Sequence, residues 1–291
     1  MTVSKLSMKK EILKWGRLVK FSHTIFAMPF ALSMFVIVSK IYSVSFFQFF
    51  WIVICLISAR TGAMAFNRIL DRKIDHLNPR THNRELPQGI VTPLSASLLL
   101  LLTYGIFLFA ASALGSHAFV LAPVVLLILS FYSWTKRFTS FSHLVLGVCL
   151  AMAPGGVWYA LTAEFAILPI WLMLAVAFWV AGFDIIYSCQ DRDFDVSKGL
   201  YSVPAKIGIH KSLTLARSLH TIALLFLVGF GYAANMGVLY FAALFIFAGL
   251  IISQHFIVKA EDLSRVNEAF FVRNGLASVI FSVGVFLDRL L

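Results

Sequence analysis

Long uncharged apolar runs alternate with short polar stretches along this chain: Phe21–Ser39, Ile41–Ala59, Leu86–Thr135, Phe138–Ala163, Phe165–Phe183, Ser218–Val258 and Asn274–Leu287. A helix needs about 20 predominantly apolar residues to cross a bilayer core about 30 Å thick. Leu86–Thr135 and Ser218–Val258 are each long enough for two crossings. Turn-forming residues interrupt them, at Gly115-Ser116-His117 and Asn235-Met236-Gly237. The pattern predicts nine helices, near residues 22–40, 44–66, 92–114, 118–135, 143–161, 166–189, 218–234, 238–256 and 269–288. The fold class expected is all-α, a polytopic membrane protein.

Composition agrees. The 291 residues are 60% hydrophobic and 13% charged, with a mean hydropathy of +0.90, whereas soluble domains carry roughly 45–50% apolar and about 25% charged residues. An ordinary water-soluble protein is excluded. Cys55, Cys149 and Cys189 each sit in or beside an apolar run, so neither a disulfide framework nor a zinc site is expected.

The net charge of +11 would make nucleic acid a candidate partner of a soluble protein. In a membrane protein, basic residues collect on the cytoplasmic side of the spans. With the N-terminus inside, 21 of the 24 Lys and Arg residues fall on inner segments, and only Lys40, Arg60 and Arg289 fall elsewhere. The bilayer explains the charge, and no nucleic-acid partner is required. Residues 1–20 interleave Lys5, Lys9, Lys10, Lys14, Arg17 and Lys20 with apolar positions, as in a basic amphipathic helix on the inner surface. The outer connections are short and two inner ones are long and polar, which puts function on the cytoplasmic, inner-membrane face.

Six of the 13 acidic residues fall in two groups: Asp71 and Asp75, and Asp184, Asp191, Asp193 and Asp195. Asn67, Asp71 and Asp75 are spaced i, i+4, i+8, and Asp184, Tyr187, Asp191 and Asp195 are spaced i, i+3, i+7, i+11. Each set shares one helical face. Opposed, the two faces would offer hard oxygen ligands of the kind Mg²⁺ takes when bound to substrate phosphates. Two groups imply two ions. Both groups also contain D-R-x-x-D, 120 residues apart, as an internal repeat would.

Several segments carry a family resemblance. Asn67-Arg68-Ile69-Leu70-Asp71-Arg72-Lys73-Ile74-Asp75 resembles the N-x-x-x-D-x-x-x-D motif of the UbiA superfamily of intramembrane prenyltransferases. Asp184-Ile185-Ile186-Tyr187-Ser188-Cys189-Gln190-Asp191 resembles its D-x-x-Y-x-x-x-D motif. The loop Arg80-Thr81-His82-Asn83-Arg84 through Gly89 and the turn Tyr132 to Thr139, with Lys136 and Arg137, are similar to two further family segments. The order matches the family, and the 4-hydroxybenzoate polyprenyltransferase-like branch matches best.

The resemblance implies one domain over residues 1–291, with helices around a central cavity and cytoplasmic motif loops at 67–91 and 189–217. It also implies Mg²⁺-dependent transfer of an isoprenoid chain from polyprenyl diphosphate to an aromatic acceptor. On this reading Asn67, Asp71 and Asp75 hold one Mg²⁺, and Asp184, Asp191 and Asp195 hold a second. Arg80, Arg84, Lys136 and Arg137 clamp phosphate oxygens, and Tyr187 shelters the allylic cation. Arg60, two turns before Asn67, is a candidate partner for an acceptor carboxylate or, structurally, for a backbone carbonyl. The acceptor expected is 4-hydroxybenzoate in quinone biosynthesis, with a naphthoate of a menaquinone route, haem or a chlorophyll precursor as alternatives. A secondary transporter would instead need broken helices and a site near the bilayer midplane. His23, His117, His143 and His255 lie scattered near span ends and receive no role.

Overall fold

The computed structural model describes residues 14–291. Most of the N-terminal amphipathic helix expected over 1–20 lies outside the described residues. Nine apolar helices follow: α1 (Met28–Ile41), α2 (Phe46–Leu77), α3 (Pro93–Leu114), α4 (Ser116–Thr135), α5 (Ser142–Thr162), α6 (Ile167–Ser188), α7 (Ile209–Ala233), α8 (Val238–Ile257) and α9 (Asn274–Leu290). Among the described residues, eight helices are long and apolar enough to cross a membrane, counting α9 with the turn before it. The chain is an integral membrane protein.

Several ends differ from those the hydropathy predicts. The first helix begins at Met28, and the residues before it, Phe21–Phe26, form a 3-10 helix. Pro29 explains the boundary, because it lacks an N–H to donate and is favoured in the first turn. Helix α2 runs eleven residues past the expected end near 66, to Leu77, so residues 67–77 are helix and not loop. Likewise α7 starts at Ile209 rather than near 218. Hydropathy marks where lipid contact ends, whereas helical hydrogen bonding continues until a capping or breaking residue intervenes. The last segment opens with a π-helix, Glu268–Arg273, before α9.

Local chemistry sets the boundaries. Ser45 and Gln48 form a reciprocal capping box at the start of α2. Thr92 caps α3, with Pro93 in the first position. Asp288 of α9 accepts from the N–H groups of Gly237 (2.8 Å) and Tyr240 (3.2 Å), which caps α8 from a neighbouring helix.

The most extensive helix contacts are α5 with α6, α6 with α7, α2 with α3, and α8 with α9. Small residues permit the close approach expected between membrane helices. A Cβ on Gly147 of α5 would strike the backbone oxygen of Ala177 on α6, and one on Gly284 would strike Ala243. Trp179, Phe183, Phe30, Phe247 and Phe281 fill the core between α1, α6, α8 and α9. Opposite them, α2 and α6 bring their C-terminal ends together, and the acidic groups meet there.

Candidate active site

Asn67, Asp71 and Asp75 fall on three successive turns of α2, as their spacing requires. The Asp71 carboxylate is 2% exposed, and a carboxylate so buried needs compensating charge. Lys136 Nζ (2.5 Å) and Arg137 Nη2 (2.9 Å) supply it from the turn after α4, and Asn67 Nδ2 donates at 3.1 Å. Asp75 accepts from Arg84 Nη1 at 2.7 Å, and the buried Arg68 lies 3.9 Å away.

The second group is divided. Helix α6 ends at Ser188, a 3-10 turn covers Cys189–Asp191, and a separate short helix spans Arg192–Lys198. Asp184, Asp191 and Asp195 therefore do not share one continuous helical face; the tighter turn gives each carboxylate its own surroundings. Asp184 Oδ2 is 2.7 Å from His143 Nδ1. The Val203 N–H points at His143 Nε2 (3.3 Å), so Nδ1 carries the proton and donates it to Asp184. Asp191 is held bidentately by Arg80, through Nε (2.9 Å) and Nη2 (2.5 Å), and Arg80 Nη1 also donates to the Tyr187 hydroxyl (2.9 Å). Burial alone would lower the Arg80 pKa, but its hydrogen bonds to Asp191 and its charged surroundings outweigh that and raise it. Asp193 is exposed and pairs with Arg192.

The two acidic helix ends are joined directly. Asn78, the residue that stops α2, donates to Asp191 at 3.0 Å. Lys136 carries the link further, since its carbonyl accepts from the Tyr201 N–H at 2.8 Å in the segment after Asp195. Among the described residues no three carboxylate, histidine or cysteine side chains converge as an ion-binding group, because this chain's own cations separate them. The donor set still suits a hard divalent ion: the carboxylates and the Asn67 amide oxygen are hard oxygen donors, at a mouth lined by cations that phosphate oxygens could engage.

Arg60 meets none of these carboxylates. Its guanidinium donates to the carbonyls of Val19 (3.1 Å) and Lys20 (3.2 Å), and Arg68 Nε donates to that of Leu18 (3.2 Å). Two α2 arginines thus hold three successive carbonyls at the end of the N-terminal helical turn. The turn leaves Lys20 in a left-handed conformation, φ 49°, beside a cleft of about 250 Å³ lined by Lys20, His23, Tyr187, Asn267, Phe270 and Phe271. Partial desolvation and the neighbouring Arg68 and Arg84 push the Lys20 ammonium below the ordinary lysine range. An anion in the cleft would relieve that repulsion.

Sequence reasoning missed His143, Asn78, Lys20 and Phe270. His143, Lys20 and Phe270 reach the motifs only through tertiary contacts, and Asn78, three residues after Asp75, lies at the helix end just beyond the motif.

Known proteins resemble this chain in sequence and in fold. The sequence fits the UbiA prenyltransferase family over residues 26–276. The chain belongs to that family. As a UbiA-family protein it is a prenyltransferase. Curated relatives include the 4-hydroxybenzoate octaprenyltransferase of Tolumonas auensis, 29% identical over 77% of this chain and 78% of that protein. The enzyme of the same description from Nitrosomonas europaea is 32% identical, over 79% and 78%. Among solved structures, the apo UbiA homologue from Aeropyrum pernix superposes with a TM-score of 0.83 at 32% identity, covering 91% of this chain and 98% of that one. A UbiA homologue from Archaeoglobus fulgidus bound to DMAPP and Mg²⁺ shares the fold, with a TM-score of 0.69 at 20% identity, covering 96% and 99%.

Proposed function

We propose that this UbiA-family prenyltransferase moves a polyprenyl group from polyprenyl diphosphate to 4-hydroxybenzoate, alkylating the ring carbon ortho to the hydroxyl, in quinone biosynthesis. The observation that carries this reading is the pairing of Asp71, Asp75 and Asp191 with lysine and arginine side chains at the joined ends of α2 and α6. Such a mouth can take up a polyanion and divalent ions together. The names of the bacterial relatives support the acceptor, and the Archaeoglobus homologue's ligands support the donor and the metal. Basic residues clustered at the motif-bearing end support a cytoplasmic, inner-membrane site.

Asn67, Asp71 and Asp75 would hold one Mg²⁺, and Asp184, Asp191 and Asp195 a second. When bound, these ions supply Lewis-acid neutralisation of the diphosphate leaving group. Lys136, Arg137, Arg80 and Arg84 turn from carboxylate to phosphate oxygens and hold the headgroup. The allylic C–O bond breaks with its electron pair on the diphosphate; the ring carbon bonds to the prenyl carbon, and the ring loses a proton. Tyr187 offers its aromatic face to the cation. Lys20 orients the acceptor carboxylate from the other side of the cleft, and Arg60 holds the turn that presents it.

The test is to incubate membranes containing the protein with labelled polyprenyl diphosphate and either 4-hydroxybenzoate or a dihydroxynaphthoate. Prenylated hydroxybenzoate is the expected product. Product with the naphthoate alone moves the protein to a menaquinone route, and product with neither removes the aromatic-acid assignment.

A further inference from the structure

Behind Tyr187, away from the motif carboxylates, lies a chain of buried polar side chains that the reaction does not use. Asn274, at the start of α9, is fully buried. Its Oδ1 accepts from Trp179 Nε1 of α6 (2.9 Å), and its Nδ2 donates to Gln254 Oε1 of α8 (3.1 Å). Gln254 in turn lies 3.4 Å from His220 of α7, which is 2.8 Å from His255. Buried polar groups among membrane helices are costly unless satisfied, and these tie four helices together.

Asn274 makes one further set of contacts. Its Nδ2 also donates to the carbonyls of Ala269 (2.8 Å) and Phe270 (3.2 Å), both inside the π-helix Glu268–Arg273. A π turn is rare because it leaves backbone groups poorly placed for regular bonding, and where it occurs it commonly serves a functional site. Here a side chain meets those carbonyls. The turn carries Phe270 onto the ring of Tyr187, with centroids 4.1 Å apart, and Phe26 and Phe183 support Phe270 from behind, at 5.2 and 5.3 Å. Relaxing the π turn to α-helical register would rotate the ring by about 100°, one residue's worth of helix, and withdraw it from Tyr187.

We propose that Asn274 is a positioning residue for prenyl transfer: it holds the π turn that seats Phe270 against Tyr187, completing the aromatic wall that keeps water from the allylic cation. This rests on the proposed prenyl transfer. Without the wall, water competes with the acceptor. The C–O bond to diphosphate still breaks with its electrons on the leaving group, water oxygen bonds to the prenyl carbon, and a proton is released, giving a prenyl alcohol.

The experiment measures prenyl alcohol against prenylated acid in the full-length protein, purified in detergent and supplied with Mg²⁺, labelled donor and 4-hydroxybenzoate. Asn274→Leu and Phe270→Leu are expected to raise the alcohol-to-product ratio about tenfold, with the donor KM within about twofold of wild type, and Phe270→Tyr to restore the wild-type ratio. Trp179→Phe removes one hydrogen bond to Asn274 while keeping a ring, and is expected to raise the ratio by a smaller factor. A wild-type ratio in folded Asn274→Leu, or in Trp179→Phe should the former not be recovered, overturns the proposal. A second reading does not depend on activity: para-fluorophenylalanine at position 270 should show a shifted fluorine resonance in Asn274→Leu or Trp179→Phe, and an unmoved resonance also overturns it. Absence of transfer by the wild type would count against the proposed function, while the fluorine measurement would still decide the positioning role.

Discussion

At the scale of single residues the site is a set of partnered carboxylates. Asp71 is held by Lys136 and Arg137, Asp75 by Arg84, Asp191 by Arg80, and Asp184 by His143. Arg80 does the most, because one planar guanidinium spans both oxygens of Asp191 and the Tyr187 hydroxyl. A lysine keeps the charge but not the fork. In Arg80→Lys, the KM for prenyl diphosphate is expected to rise about tenfold, equivalent to about 1.4 kcal/mol, with a smaller change for the acceptor; steady-state kinetics with both substrates check it, and an unchanged donor KM would remove Arg80 from the headgroup site. Much of this scale was legible beforehand. Asn67, Asp71 and Asp75 declare themselves by helical spacing, and Arg80, Arg84, Lys136 and Arg137 by motif resemblance. Their pairings were not legible. Whether a cation faces a carboxylate or a phosphate depends on which groups the fold brings within reach, and His143 lies 41 positions from the Asp184 it contacts. Arg60 shows the same limit: its position in a span marks it as unusual, but only the fold reveals that the carbonyls of Val19 and Lys20 receive it.

At the scale of elements, apolar runs reveal that helices exist but not where they stop. The extension of α2 to Leu77 carries the first motif on rigid helix, which fixes the spacing of its carboxylates better than a loop would. The 3-10 turn at Cys189–Asp191 has the opposite effect and separates Asp184 from Asp191. Neither it nor the π-helix at Glu268–Arg273 leaves a trace in the hydrophobic pattern, since both differ from an α-helix by a single residue of register. Helix pairing also has a measurable signature. Gly147 admits the Ala177 backbone between α5 and α6, whereas Gly156, on the same helix, has nothing within 4 Å of the place a Cβ would occupy. Gly147→Ala is expected to cost about 1–3 kcal/mol of stability, as overpacked cores do, and to weaken activity by moving His143 away from Asp184. Gly156→Ala should leave both unchanged. Thermal unfolding in detergent distinguishes the two, and equal melting temperatures would contradict the close-approach reading.

At the scale of the whole molecule, the nine helices gather two distant stretches of chain at one end of the bundle. Asn78 and Arg80 reach across to Asp191, although more than a hundred residues and four helices lie between. The opposite end is closed by simpler means, with Asp288 and Arg289 of α9 capping the turn between α7 and α8. This architecture divides the labour: helix packing sets the distance between the two acidic ends, and basic side chains compensate the carboxylates there. In the proposed reaction both ends serve one headgroup through divalent ions. It is tested most directly by following label transfer from polyprenyl diphosphate to 4-hydroxybenzoate as Mg²⁺ is removed with EDTA and restored, in wild type, Asp71→Asn and Asp191→Asn. Wild-type transfer should vanish with EDTA and return with Mg²⁺, and each variant, still folded and membrane-inserted, should fall by at least about a hundredfold at every Mg²⁺ concentration. Transfer that survives EDTA, or near-wild-type turnover in either variant, would contradict a shared metal–diphosphate site between α2 and α6.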